Sequence, residues 1–184
     1  MSTTVNAELI AALESWSGTA RLSTQELRIA SDRLTLALDR HHTLHHVWLT
    51  LSVLGRGLPS EAEVRAFHRT LLNEGAAALL TQLGKQPRLK KVAHRQVELL
   101  HDAVIVDVRH TAETDLATGI QRVARETSKR WSRSHDITLV TWTADGSAMR
   151  RLLPAERATA LDGVAPVYGK TRSVDMRIVI PVGG

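Results

Sequence analysis

Residues 104–126 read VIVDVRHTAETDLATGIQRVARE, and the fold turns on how this stretch divides. Val104–Val108 is the first continuous β-type run in the chain and reads as a buried strand. The polar segment RHTAETDLAT follows, about ten residues where a simple strand-to-helix connection needs roughly two to six. A helix then runs from Gly119 to about Trp131. Thr118 stands at the N-cap position with Gln121 three residues on, the spacing of a capping box, and Gly119 lets another backbone or a ligand come close. Ile120, Val123, Ala124, Thr127 and Trp131 form the stripe expected to pack, with Arg122 and Arg125 off it. In open α/β sheets, ligands bind beyond the carboxyl ends of the strands, and a helix N-terminus offers free N–H groups to an anion. Thr118, Gly119, Gln121 and Arg122 are therefore the candidate binding residues. Spacing alone favours a well-capped helix start with Arg122 solvated. The glycine pattern is neither GxGxxG nor a P-loop.

Working outward, ITLVTW (137–142) and MRIVIPV (176–182) read as further strands, with PAERATALD a short helix from Pro154. Strand, helix, strand, short helix, strand is the beginning of a parallel α/β sheet. Three strands leave edges open, and the apolar last strand runs into Gly183-Gly184, so the expectation is a truncated domain. Up to about Leu100 the periodicity is helical instead. Leu34, Leu38, Leu44, Trp48 and Leu51 recur at helical spacing, and Gly55 and Gly57 stop the run. Ser60 and Glu63 open a second helix with the stripe Val64, Phe67, Leu71, and a last one is expected over 89–100 with Leu89, Val92, Val97 and Leu100. The fold class is thus α + α/β: an N-terminal helical bundle, residues 1–101, followed by a partial Rossmann-like parallel sheet, residues 102–184.

Composition narrows the function classes. The 184 residues hold no cysteine, which removes disulfides, thiolate metal sites and cysteine nucleophiles together. A formal charge of +5 and a pI near 10.2 suit an anionic partner. One Phe and one Tyr give little stacking surface, which argues against nucleic acid. No apolar run approaches the roughly 20 residues of a membrane span, so no transmembrane segment is expected. The N-terminus lacks the features of a secretory signal, and a cytoplasmic location is expected.

Other constellations carry less. HHTLHH (41–46) gives two i, i+4 pairs on a continuous helix, of which His41 and His45 are the candidate metal ligands. A pair lacks a third ligand and no HExxH is present, so no metal is expected. Asp107, Glu113 and Asp115 are carboxylates near the strand end, a place where solvated or capping roles are commoner than catalysis. His110, just past the strand, is the better placed catalytic candidate. No GxSxG is present.

The run VIVDVRHTAETDLATGIQRVARE resembles the N-terminal strand, loop and helix of bacterial nucleotide-sugar glycosyltransferases of the GT-B fold, group 1 type. Asp107, Thr118, Gly119, Ile120, Gln121, Arg122 and Val123 carry the likeness, which extends over about 104–184. The resemblance implies two Rossmann-like domains around a cleft, the N-terminal one holding the acceptor and the other the nucleotide-sugar. No donor-binding half can be assigned in this sequence. The expectation is the N-terminal part of such an enzyme, inactive alone, without a cofactor, and acting on a nucleotide-sugar and an acceptor glycan in a full-length context. Thr118, Gly119, Gln121 and Arg122 would line the cleft, and the catalytic residue stays unknown apart from His110. The alternative is a non-catalytic helical module that binds a protein partner, with basic residues around Arg88 to Arg95 docking an anionic surface.

Overall fold

A computed structural model describes residues 9, 11–14, 24–92, 95–114, 118–165 and 177–182. Residues 11–14 are helical, and helices α1 (Thr24–Arg40), α2 (Leu44–Gly55), α3 (Glu61–Glu74), α4 (Ala76–Gly84) and α5 (Pro87–Val92) follow. Strands β1 (Gln96–His101) and β2 (Val104–Asp107) follow, then α6 (Arg109–Glu113), α7 (Gly119–Ser134), β3 (Ile137–Trp142), β4 (Met149–Arg151), α8 (Pro154–Asp162) and β5 (Arg177–Val182). The chain has the expected α + α/β fold. Among the described residues no helix is long and apolar enough to cross a membrane.

Local chemistry sets the helix ends. The helix expected to run through the histidines is broken at residues 41–43, because Thr43 adopts an extended conformation and accepts the His46 N–H at 3.3 Å as the N-cap of α2. At its other end Arg56 takes the left-handed conformation with φ 50°. Ser60 and Glu63 make the full reciprocal capping box of α3. Gly75, with φ 84°, turns α3 into α4, and the Ala76 N–H then donates to Asp39 Oδ1 at 2.8 Å, tying this corner to α1.

The sheet is mixed, in the order β1-β5-β4-β3-β2. Parallel pairs β1/β5 and β2/β3 stand at its two ends, and β4 runs antiparallel to both its neighbours. Two of these strands were not expected. Residues 96–101 had the apolar spacing of a helix, yet they pair with β5 from Gln96↔Arg177 to His101↔Val182. Six residues hold too few apolar positions for periodicity to decide, and tertiary pairing overrides local preference. Strand β4 has three residues and is made by a hairpin, in which Thr143 and Ala148 close the turn and Gly146 sits at φ 65°.

Two apolar clusters hold the molecule. The larger contains Leu34, Leu38, Leu49, Phe67 and Leu79 from the helices together with Val97 of β1 and Ile178 and Ile180 of β5, so the helices and one end of the sheet share a core. The smaller joins Val108, Ala112, Leu139 and Ala160 under α6 and α8. Arg151 of β4 reaches across to Glu98 of β1 with two bonds of 2.7 Å, and Arg150 grips Glu156 of α8 with bonds of 2.7 and 2.6 Å. Strand β2 lies at the edge.

Candidate functional site

The candidate site is built where β2 ends. Asp107 closes the strand with both carboxylate oxygens engaged. Oδ1 accepts the Arg109 N–H at 2.9 Å and so starts α6, while Oδ2 accepts the Trp142 indole N–H at 2.8 Å and ties β2 to β3. The segment expected as one long loop therefore begins with a helix, α6. Glu113 at the end of α6 receives the Arg109 Nε–H at 3.2 Å. Asp115 lies outside the described residues. Asp107 and Glu113 thus organise the turn and do not form a carboxylate pair.

His110 of α6 lies against the start of α7. Thr118 is extended, φ −66° and ψ 158°, and its hydroxyl accepts the Gln121 N–H at 3.5 Å. Gln121 is buried, and its side-chain Nε2 lies 3.2 Å from His110 Nε2. The amide ends exchange by a 180° turn, and with the oxygen toward the ring Gln121 accepts the His110 Nε2–H and leaves the imidazole its lone pair on Nδ1. Gln121 Oε1 is buried with no partner among the described residues. Around Gly119 the surface is open: a Cβ placed there would meet nothing within 4 Å. Arg122 is exposed and makes no ion pair among the described residues, while its backbone N–H donates to Thr118 O at 3.0 Å. Thr118, Gly119, Gln121 and Arg122 are therefore gathered in one helical turn beside His110. Together they offer first-turn N–H groups, a guanidinium and an imidazole to an anionic or hydroxylated ligand.

Helix α7 packs differently from expectation. Its buried side chains are Gln121 and Ser128, while Ile120, Val123 and Trp131 are 84%, 66% and 45% exposed. The neighbours explain the inversion. Arg125 donates to Thr114 O at 3.1 Å and Lys129 to Asp162 Oδ1 of α8 at 2.8 Å, so that flank of the helix is fixed toward α8. At 100° per residue the apolar row falls on the other flank. Val104 on β2 is 54% exposed as well, so edge strand and apolar stripe are both uncovered.

The histidine candidates separate. His41 precedes Thr43 and α2, so His41 and His45 do not share a helix. His45 stacks on Trp48 at 6.3 Å between ring centroids and is exposed. His46 is the buried one, and its Nδ1 lies 2.6 Å from Thr43 Oγ1. Burial, followed by the charges of His45 and His41, pushes its pKa down. Among the described residues no three His, Cys, Asp or Glu side chains gather to hold a metal.

The sequence reading missed Trp142 as the partner of Asp107 and Gln121 as the partner of His110. The Thr118–Gln121 spacing was visible, but the second role of Gln121 required the strand end and the helix start to meet. No family model, curated protein or solved structure matches the chain.

Proposed function

We propose that this chain is the acceptor-side, N-terminal part of a cytoplasmic glycosyltransferase that moves a sugar from a nucleotide-sugar to a hydroxyl acceptor. The single observation that carries the reading is the His110–Gln121 pair beside the open Gly119 turn, at the carboxyl end of a parallel strand. In such a transfer the acceptor oxygen bonds to the anomeric carbon, the nucleoside diphosphate leaves, and the acceptor proton needs a base. His110 is the group in this turn able to take it, through Nδ1 when the Gln121 amide oxygen holds its Nε2–H, and Gln121 is the positioning residue. Arg122 and the first-turn N–H groups supply positive potential toward the departing diphosphate. The uncovered β2 edge and apolar row of α7 are in keeping with an α/β unit that works against further α/β structure.

The test combines the chain with a separately produced donor-binding domain and a panel of radiolabelled nucleotide-sugars, and follows label transfer to a glycan acceptor. Transfer should require both proteins, and His110→Ala should lower it about 10²-fold or more, the low end for loss of a general base. No transfer and no nucleotide-sugar binding in any combination would sink the proposal.

A further inference from the structure

A separate cavity of about 160 Å³ lies where the α2–α3 turn, α5 and the β3–β4 hairpin meet. Its lining includes Gly57, Arg88, Lys91, Arg95, Asp145 and Ser147. Gly57 makes the close approach: a Cβ there would stand 2.9 Å from the Ser147 carbonyl oxygen, and the neighbouring Leu58 N–H donates to that same oxygen at 2.8 Å. The turn is thereby clamped to the hairpin.

Arg95 is only 7% exposed. Its Nη1 donates to Ser147 Oγ at 2.9 Å and to Arg56 O at 3.3 Å, and its Nη2 to Asp145 Oδ2 at 2.9 Å. The Arg56 guanidinium returns a bond to the Arg95 carbonyl. The side chain is rigidly held, yet its Nε–H is buried with no acceptor among the described residues. The same holds for Arg88, whose Nη1 is paired with Glu63 at 2.7 Å while its Nε–H is buried and unmet. Two guanidiniums that each keep a buried, unmet Nε–H thus stand among the residues that line one cavity. Buried donors without acceptors are rare.

The chemistry of that occupant is constrained. Arginine offers no lone pair, so it must be an acceptor. Three cations and one carboxylate line the space, and Glu63 holds Arg88, so the excess is a single positive charge; the lining carboxylate is spent, because Asp145 Oδ1 already takes Thr143 Oγ1 at 2.5 Å and Ser147 Oγ at 2.7 Å, and Oδ2 takes Arg95. An anion is favoured. The volume equals about five waters at roughly 30 Å³ each, which is room for one tetrahedral group but not for a nucleotide. Donors from two separate guanidiniums and a lysine suit a group with several oxygens.

We propose that this cavity is an oxyanion site that takes a phosphate group on Arg88, Lys91 and Arg95. It stands where the helical half meets the β3–β4 hairpin and is independent of the glycosyltransferase reading.

The experiment titrates the full chain, ¹⁵N-labelled at arginine, with sodium phosphate against sodium chloride at equal ionic strength, following the Arg Nε–H signals by NMR. Parallel arms use glycerol phosphate and phosphatidylcholine vesicles containing phosphatidylglycerol, which distinguish free phosphate, a soluble phosphomonoester and a lipid headgroup as the source. Saturable shifts of the Arg88 and Arg95 Nε–H signals are expected in at least one arm. Affinity should fall at least tenfold in Lys91→Gln and Arg88→Gln, and hold in Arg130→Gln, an exposed arginine of α7 that controls for net charge. Lys91 is exposed, so its substitution leaves the fold intact. Unmoved Nε–H signals in all three arms, with phosphate taken to about 10 mM, tenfold above a dissociation constant of about 1 mM, overturn the proposal. Equal weakening by Arg130→Gln and Lys91→Gln overturns it too.

Discussion

Helices α3 and α7 carry similar apolar periodicity and meet opposite fates. Both begin at a capped hydroxyl residue, Ser60 and Thr118. Helix α3 buries Val64, Phe67 and Leu71, while α7 buries Gln121 and Ser128 and turns Ile120, Val123 and Trp131 outward. The difference lies in the neighbours. Helices α2 and α4 enclose α3, whereas among the described residues α7 meets α6, α8 and β3 and leaves its apolar row exposed. An amphipathic stripe states that a helix needs an apolar contact. It does not state that the same fold supplies it.

The sharpest way to break this contrast is core truncation. Phe67→Ala should lower the unfolding free energy by about 3–5 kcal/mol, as for other buried aromatic side chains. Ile120→Ser and Val123→Ser should each change it by less than about 0.5 kcal/mol, as exposed positions do. Urea unfolding of the three variants measures both. A large loss at Ile120 would mean that the α7 stripe is covered in solution.

The glycines extend the comparison at smaller scale. Gly57→Ala forces a Cβ against the Ser147 backbone and should cost about 1–3 kcal/mol, the range for overpacking. Gly119→Ala meets open space in a helix first turn and should be neutral or stabilising by up to about 1 kcal/mol. Comparable losses at the two positions would show the Gly119 turn to be closed.

Caps give the next increment. Ser60→Ala removes one half of a reciprocal box and should cost about 1 kcal/mol. Thr118→Ala breaks a single 3.5 Å bond and should cost nearer to about 0.5 kcal/mol, the low end for caps. Amide hydrogen exchange in the first turns of α3 and α7 separates the two.

The smallest effects are protonic. Desolvation alone would raise the pKa of Asp145, but its bonds from Thr143, Ser147 and Arg95 outweigh this and hold it far below the usual carboxylate range. A lowered folded pKa adds stability that is present above the unfolded value, about pH 4, and lost as pH falls below it. Asp145→Asn should therefore flatten the acid limb of a stability–pH curve. His46 works in the same direction at higher pH. Its folded pKa is lowered, so its contribution is present above about pH 6.5 and fades as the solution is acidified. Melting temperatures between pH 7.5 and 5.5 should fall less in His46→Gln than in the parent chain.

Much of the candidate site was legible in the sequence. The Thr118–Gln121 spacing specified a cap, and the cap is present. The cap does not reveal that the Gln121 side chain meets His110, because that contact joins two separate helices, α6 and α7. The histidine run was misread through one residue. Thr43 offers its hydroxyl to the His46 backbone, and a local side-chain bond of this kind competes successfully with helix continuation. The cavity on Arg88 and Arg95 was visible only as a basic cluster. Its content depends on which guanidinium nitrogens are left over once Glu63, Asp145 and Ser147 have taken theirs.

By itself the sequence determined the class of architecture, helices first and an α/β part after, together with the helix starts at Ser60 and Thr118. These follow from periodicity and capping, which are properties of residues three or four apart. Tertiary structure alone decided that residues 96–101 become a strand, that β4 inserts antiparallel between two parallel pairs, and which flank of α7 faces the protein. Each of those outcomes depends on a partner distant in sequence, Arg177–Val182 for β1 and Asp162 for α7. Pairing and packing across such separations outweigh the few tenths of a kcal/mol per residue that local propensity typically supplies.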